Sequence, residues 1–247
     1  MNLTSPMQLT NAQTQAVLAA GADGLSVAAL GQEGMTRDGR RFRWAQAGAS
    51  DLVVGNMIQA AAEIANHQLC SVAATAIGAT SIAVTPGATA GAANLYANGV
   101  AVIGVTPGLG YAYNISGHAA ISSSTAFTLN LAADDPIQIA LTTSSKLTLV
   151  ANPYKGVIQT PVTTLTGACV GCAVSVIPAT GFGWIQTKGP AACLVAGTPG
   201  PGLAVVVPGT AAGAVVIDGA ASATIPVGAM MITGADGKAG VVMLNLP

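Results

Sequence analysis

From Ser71 onward, short β-branched runs alternate with Gly, Pro or Asn breakers, and this punctuation constrains the fold more than any other feature. The runs include residues 81–85, 100–106, 111–115, 126–131, 137–142, 146–150, 157–160, 174–177, 203–207, 214–217 and 241–244. Branched β-carbons suit a pleated strand, and turn signals recurring every ~8–12 residues are the signature of a sandwich or barrel. No segment sustains the 3.6-residue period of a long amphipathic helix. The reading is all-β: a β-barrel or β-sandwich body, of the jelly-roll or tulip kind, with an extended N-terminal arm.

Three regions follow from the punctuation. Residues 1–34 form an Ala/Gln-rich arm read as flexible or docked on a partner, with a short helix around residues 12–20, capped by Thr10 or Asn11 and ended by Gly21, as the alternative. Residues 35–150 are a β-rich body, the barrel or sandwich itself spanning about residues 60–150. Residues 151–247 are a second β-rich part, divided from the first near Asn152-Pro153; whether the two share one domain stays open. Asp38-Gly39 is a hairpin turn signal. In the strand that follows, a period of two puts Phe42 and Trp44 on one face and Arg41 and Arg43 on the other.

Charge narrows the function. Only 7% of the chain is charged, the net charge is −1 and the mean hydropathy is +0.61. Residues 64–133 hold no Asp, Glu, Lys or Arg, whereas all four arginines (Arg37, Arg40, Arg41 and Arg43) fall together. Such a chain has no electrostatic footprint for nucleic acid. It also lacks the repulsion that keeps free proteins apart, which argues for a life packed against copies of itself or a partner and against a free cytosolic enzyme. Gly and Asn interrupt the neutral stretch too often for a spanning helix, and nine aromatics are too few for the girdles of a membrane barrel. The N-terminus shows no basic n-region and no apolar h-region, so no signal peptide is expected.

Chemistry is sparse. Cys169-Val-Gly-Cys172 is a CxxC, but a zinc site needs two further ligands, and only Cys70 and Cys193 remain, with no His in the second half. Buried reduced thiols are the reading, with a disulfide or metal clip as the alternative. His118 lies near Ser116 and Ser122–Ser124 without a recognisable triad. Asp134-Asp135 precedes Pro136, where a carboxylate capping backbone N–H groups of a turn is expected, with a weak calcium site as the alternative. The arginines can be paired locally by Glu33, Asp38 and Asp51, or can dock an acidic protein surface; phosphate is the third option. No P-loop, GxGxxG after a strand, HExxH or GxSxG occurs. No catalytic residue, metal or cofactor is expected.

Six segments, in order, carry a resemblance: Asp38-Gly39-Arg40-Arg41-Phe42-Arg43-Trp44-Ala45, Leu95-Tyr96-Ala97-Asn98-Gly99, and Gly108-Leu109-Gly110-Tyr111-Ala112-Tyr113-Asn114-Ile115, then Asp134-Asp135-Pro136-Ile137-Gln138-Ile139-Ala140-Leu141, Asn152-Pro153-Tyr154-Lys155-Gly156-Val157, and Gly183-Trp184-Ile185-Gln186-Thr187-Lys188-Gly189-Pro190. Together they resemble a group of tailed-phage virion structural proteins encoded beside the major capsid protein. The resemblance implies a non-enzymatic capsid decoration (cement) protein, made in the host cytoplasm and bound to the outer surface of the major capsid protein lattice. It implies no catalytic residues. Analogy with decoration proteins at three-fold sites favours a homotrimer. Arg40, Arg41, Phe42, Arg43 and Trp44 are the expected contact with capsid or a neighbouring copy, and the arm is the expected second contact. A head- or tail-fibre component that binds a host receptor or glycan is the alternative.

Overall fold

A computed structural model of the chain describes residues 6–19, 21–22, 24–219 and 224–246. Residues 1–5 of the expected arm and Ala20 of the alternative helix lie outside these. In chain order the strands are β1 (Met7–Leu9), β2 (Val17–Leu18), β3 (Glu33–Thr36), β4 (Arg41–Ala47) and β5 (Met57–Gln59). Then come β6 (Cys70–Val72), β7 (Ser81–Thr85), β8 (Val100–Val105), β9 (Ala112–His118), β10 (Phe127–Leu131) and β11 (Lys146–Val150). The last are β12 (Lys155–Gln159), β13 (Cys169–Ala173), β14 (Phe182–Leu194), β15 (Ala204–Val207), β16 (Val216–Ile217), β17 (Ile225–Met230) and β18 (Ala239–Asn245). Among the described residues the one α-helix, α1 (Asn11–Thr14), is a single turn whose Thr10 cap and Gln13 form a reciprocal capping box. The fold is all-β.

The strands form two units. The contiguous segment 63–152 is one, and residues 1–62 join 153–247 in the other. The division therefore differs from the expected regions: residues 35–62 belong with the chain after 153, because β4 and β5 pair with β12, β13 and β14.

The inserted unit is a closed six-stranded barrel in the order β10-β7-β6-β11-β8-β9. Burial alternates along β7, β9, β10 and β11, as a sheet with one wet face requires. Ile82, Val84, Ile103, Tyr113, Leu129 and Leu147 fill its interior. Each such apolar side chain contributes about 1.5–3 kcal/mol of transfer free energy when fully buried.

The other unit is organised by β14. Its first half pairs with β4 on one side and β13 on the other, and the ring β4-β12-β5-β13-β14 closes on itself. Its second half pairs with β18, from which β17, β15 and β16 follow. A parallel bridge between Val195 and Val215 returns this second run to the end of β14. One thirteen-residue strand thus serves two cores, one around Ile58, Val157 and Ile185, the other around Cys193, Val205 and Val242. The passage between them is a bulge after Gln186, whose side-chain amide donates to the Lys188 and Pro190 carbonyls at 3.1 and 2.8 Å.

The described part of the arm lies on its own unit. β1 pairs in parallel with β3, and β2 pairs with Phe182 and Gly183 of β14. Leu9, Ala28 and Leu30 are buried against Phe42, Trp44, Phe182 and Trp184. These apolar residues of the arm lie on the aromatic outer face of the five-stranded ring.

Candidate functional site

The arginine-rich hairpin is where charge, exposure and a groove coincide. Asp38-Gly39 makes the turn between β3 and β4, with Gly39 at a φ of +86° that a residue with a β-carbon rarely adopts. Alternation along β4 then separates the faces as the sequence predicts. Phe42 and Trp44 point to the outer face of the ring that the arm covers, are essentially inaccessible, and pack with Phe182 and Trp184. Trp44 stacks on Phe182 at 6.3 Å, meets Trp184 edge-on at 5.1 Å, and donates its Nε1–H to the Gly24 carbonyl at 3.0 Å. The expected contact role of Phe42 and Trp44 is thereby corrected, because core residues of this kind have no surface to offer a partner.

The arginines divide by partner. Arg40 pairs with Asp38 at 2.9 Å and donates to Asn11 Oδ1. Arg43 donates to the Gly31 carbonyl at 3.0 Å, lies 3.8 Å from Glu33 and sits over the Tyr154 ring. Arg41 pairs with Glu33 at 2.9 Å, yet its side chain remains half exposed. The Thr36 hydroxyl, and after it the Arg40 guanidinium and N–H, hold the Asp38 carboxyl below its ordinary value. Asp51 takes no part in this cluster; it accepts the Ala179 N–H at 2.7 Å.

Lys188 completes the site, and the sequence did not single it out for a contact. It stands opposite Arg41 on one side and Asn245 of β18 on the other. Among the described residues no carboxylate lies within ion-pair distance of it. Arg41 and Lys188 flank a groove of about 700 Å³, bordered by the hairpin turn and walled by Pro190, Ala229 and Met243. Gly228 lets β17 lie close against β18 at this wall, since a β-carbon there would run into the Met243 carbonyl oxygen. Arg37, Arg40, Arg41, Arg43 and Lys188 against Glu33 and Asp38 leave this end at +3, in a chain whose net charge is −1. The arrangement can bind an acidic, partly apolar chain segment; it holds no nucleophile with an adjacent base.

The remaining candidates are structural. His67 Nδ1 meets the Tyr96 hydroxyl at 2.5 Å and its Nε2 the Thr89 carbonyl at 2.9 Å. His118 Nε2 accepts the Tyr96 N–H at 3.0 Å, so its Nδ1–H donates to the Ala119 carbonyl at 2.7 Å. Both rings are buried in the inserted barrel with their nitrogens engaged, and Ser122–Ser124 are not among these partners. Asp135 accepts from the backbone and side-chain N–H groups of Asn114 at 2.7 and 3.0 Å, which makes it a turn brace. All four cysteines are buried and outside any disulfide, and among the described residues no cluster of three or more His, Cys, Asp or Glu could hold a metal. No described helix is long and apolar enough to cross a membrane. Comparison of the chain with protein-family models, curated proteins and solved structures finds no match.

Proposed function

We propose that the protein is a non-enzymatic structural component of a tailed-phage virion, a decoration (cement) protein seated on the outer surface of the major capsid protein lattice. The observation that carries this reading is the surface of the inserted barrel. Residues 64–133 bear no charge, yet Leu69, Ile77 and Leu109 are each more than half exposed. Such a surface gains by being covered, and a lattice that repeats the contact turns weak individual contacts into avidity. The groove adds a polar address: Arg41 and Lys188 fit an acidic segment of the capsid protein, with Pro190 and Met243 offering apolar contact. The resemblance to virion structural proteins supports the same assignment, and analogy with decoration proteins at three-fold sites favours a trimer.

Co-sedimentation with mature heads that lack the protein tests this. The expected result is saturable binding at a fixed ratio to the capsid protein and a higher head-rupture temperature. Leu69→Asp with Leu109→Asp should abolish binding while leaving the fold intact, since both side chains are exposed. Arg41→Ala with Lys188→Ala should weaken binding and flatten its salt dependence. Absence of saturable binding overturns the reading. Binding unaffected by either pair of substitutions overturns the assignment of surfaces.

A further inference from the structure

Three of the four cysteines meet in one core. Cys169 and Cys172 lie on β13 and Cys193 near the end of β14, all packed with Met57 and Val242. Sequence spacing draws attention to Cys169 and Cys172. The sulfur in contact with Cys172, however, is that of Cys193, 3.5 Å away and 21 positions along the chain. Both residues are inaccessible, and their strands are held in register by β5 and β18. A disulfide is ~2.05 Å long, so bonding requires the sulfurs to approach by about 1.5 Å. We propose that Cys172 and Cys193 form an intrachain disulfide when the chain meets a low-molecular-weight disulfide oxidant, tying β13 to β14 where the two cores of this unit adjoin.

The chemistry is thiol–disulfide exchange in two steps. One cysteine thiolate attacks the oxidant's S–S bond, forming a mixed disulfide and releasing one small thiolate. The second cysteine thiolate attacks the protein-side sulfur, forming the Cys172–Cys193 bond and releasing the other. The two thiol protons end on the two released small thiols, and the oxidant takes up the two electrons the cysteines lose. Burial pushes the Cys169 thiol up to about 12, and the hydrogen bond with Cys193, followed by burial, raises that of Cys172 well above its ordinary value. The folded core therefore protects its thiols, and exchange proceeds when β13 opens or before this core closes during folding. Cys70 sits in the other unit, its Sγ against the Asn66 carbonyl, with no cysteine in contact among the described residues.

The test is to refold the full chain in a mixture of oxidised and reduced glutathione, alkylate, and map the peptides by mass spectrometry. The expected product is a single Cys172–Cys193 cross-link, with Cys70 and Cys169 alkylated. The oxidised chain should melt roughly 5–10 °C above the reduced one. Cys193→Ala should remove both the cross-link and the redox dependence of the melting temperature; if that variant fails to fold, the peptide map of the unsubstituted chain decides alone. Four alkylated thiols, a Cys169–Cys172 cross-link, or the same melting temperature in both redox states overturns the proposal.

Discussion

Replacing Trp44 by Phe separates a core role from a docking role, because the two predict opposite results. Trp44 is 1% exposed and lies against two aromatic rings. Phenylalanine keeps one ring but loses the atoms of the five-membered ring, worth about 1–2 kcal/mol with the space left behind. It also loses the bond from Nε1–H to the Gly24 carbonyl. That carbonyl still accepts the Val27 and Ala28 N–H groups at 3.3 and 3.4 Å, so it is not orphaned and the loss is about 1 kcal/mol. The sum is about 2–3 kcal/mol. Urea denaturation followed by the fluorescence of Trp184, the only other tryptophan, reads the unit that contains both. The midpoint should fall with an unchanged slope, and head binding should persist at concentrations where the variant is folded. A loss of less than about 0.5 kcal/mol accompanied by lost binding would refute the core assignment and return Trp44 to the surface.

Alkaline stability gives a second check. Burial raises the Cys169 thiol from 9.0 to about 12, so folding holds its proton more tightly than the unfolded chain does. That stabilisation is complete below pH 9 and is lost as pH rises to 12. For this deeply buried thiol it amounts to about 4 kcal/mol, and equilibrium unfolding measured across that window should weaken steeply. Tyr96, raised to about 12 chiefly by burial, should weaken the inserted barrel in the same direction between pH 10 and 12; stability flat across both windows would contradict the burial. His118→Phe should cost the inserted barrel about 2–4 kcal/mol in thermal unfolding, since the Tyr96 N–H and Ala119 carbonyl lose their shared partner; an effect below 1 kcal/mol would mean the ring is no structural link.

The strands legible in the sequence were those that alternate. Residues 81–85 and 146–150 coincide with β7 and β11, and 126–131 with β10 to within a residue. β14 was illegible because Gly183, Gly189 and Pro190 read as breakers. In the structure Gly183 passes close under Ile177, whose side chain a β-carbon would meet at 2.7 Å, and Pro190 sits exposed just beyond the bulge. β13 is buried at every position, so it has no alternation to read. Residues 137–142 form bridges through Leu141 and turn contacts rather than a strand. In the site, the hairpin and the two faces of β4 were legible from period two alone. Lys188 and the Cys172–Cys193 contact were not, because each depends on which distant strand lies alongside β14.

The insertion also imposes an order of events. The segment 63–152 is contiguous, so every strand pairing it needs is available once that stretch has left the ribosome. The ring around β4 and β5 must wait for β12, β13 and β14, all synthesised afterwards. Without the insert folded, closing β5 onto β12 means fixing the ends of a floppy loop of some hundred residues, and the entropy of that closure grows with loop length. A folded insert shortens the effective loop, as the antiparallel pairing of Gln59 with Ile158 beside its two exits requires. A folded insert should therefore lower the entropic cost of pairing the strands on either side of it. Pulse-labelled hydrogen exchange during refolding should find β6–β11 protected before β12–β14, and the reverse order would contradict this.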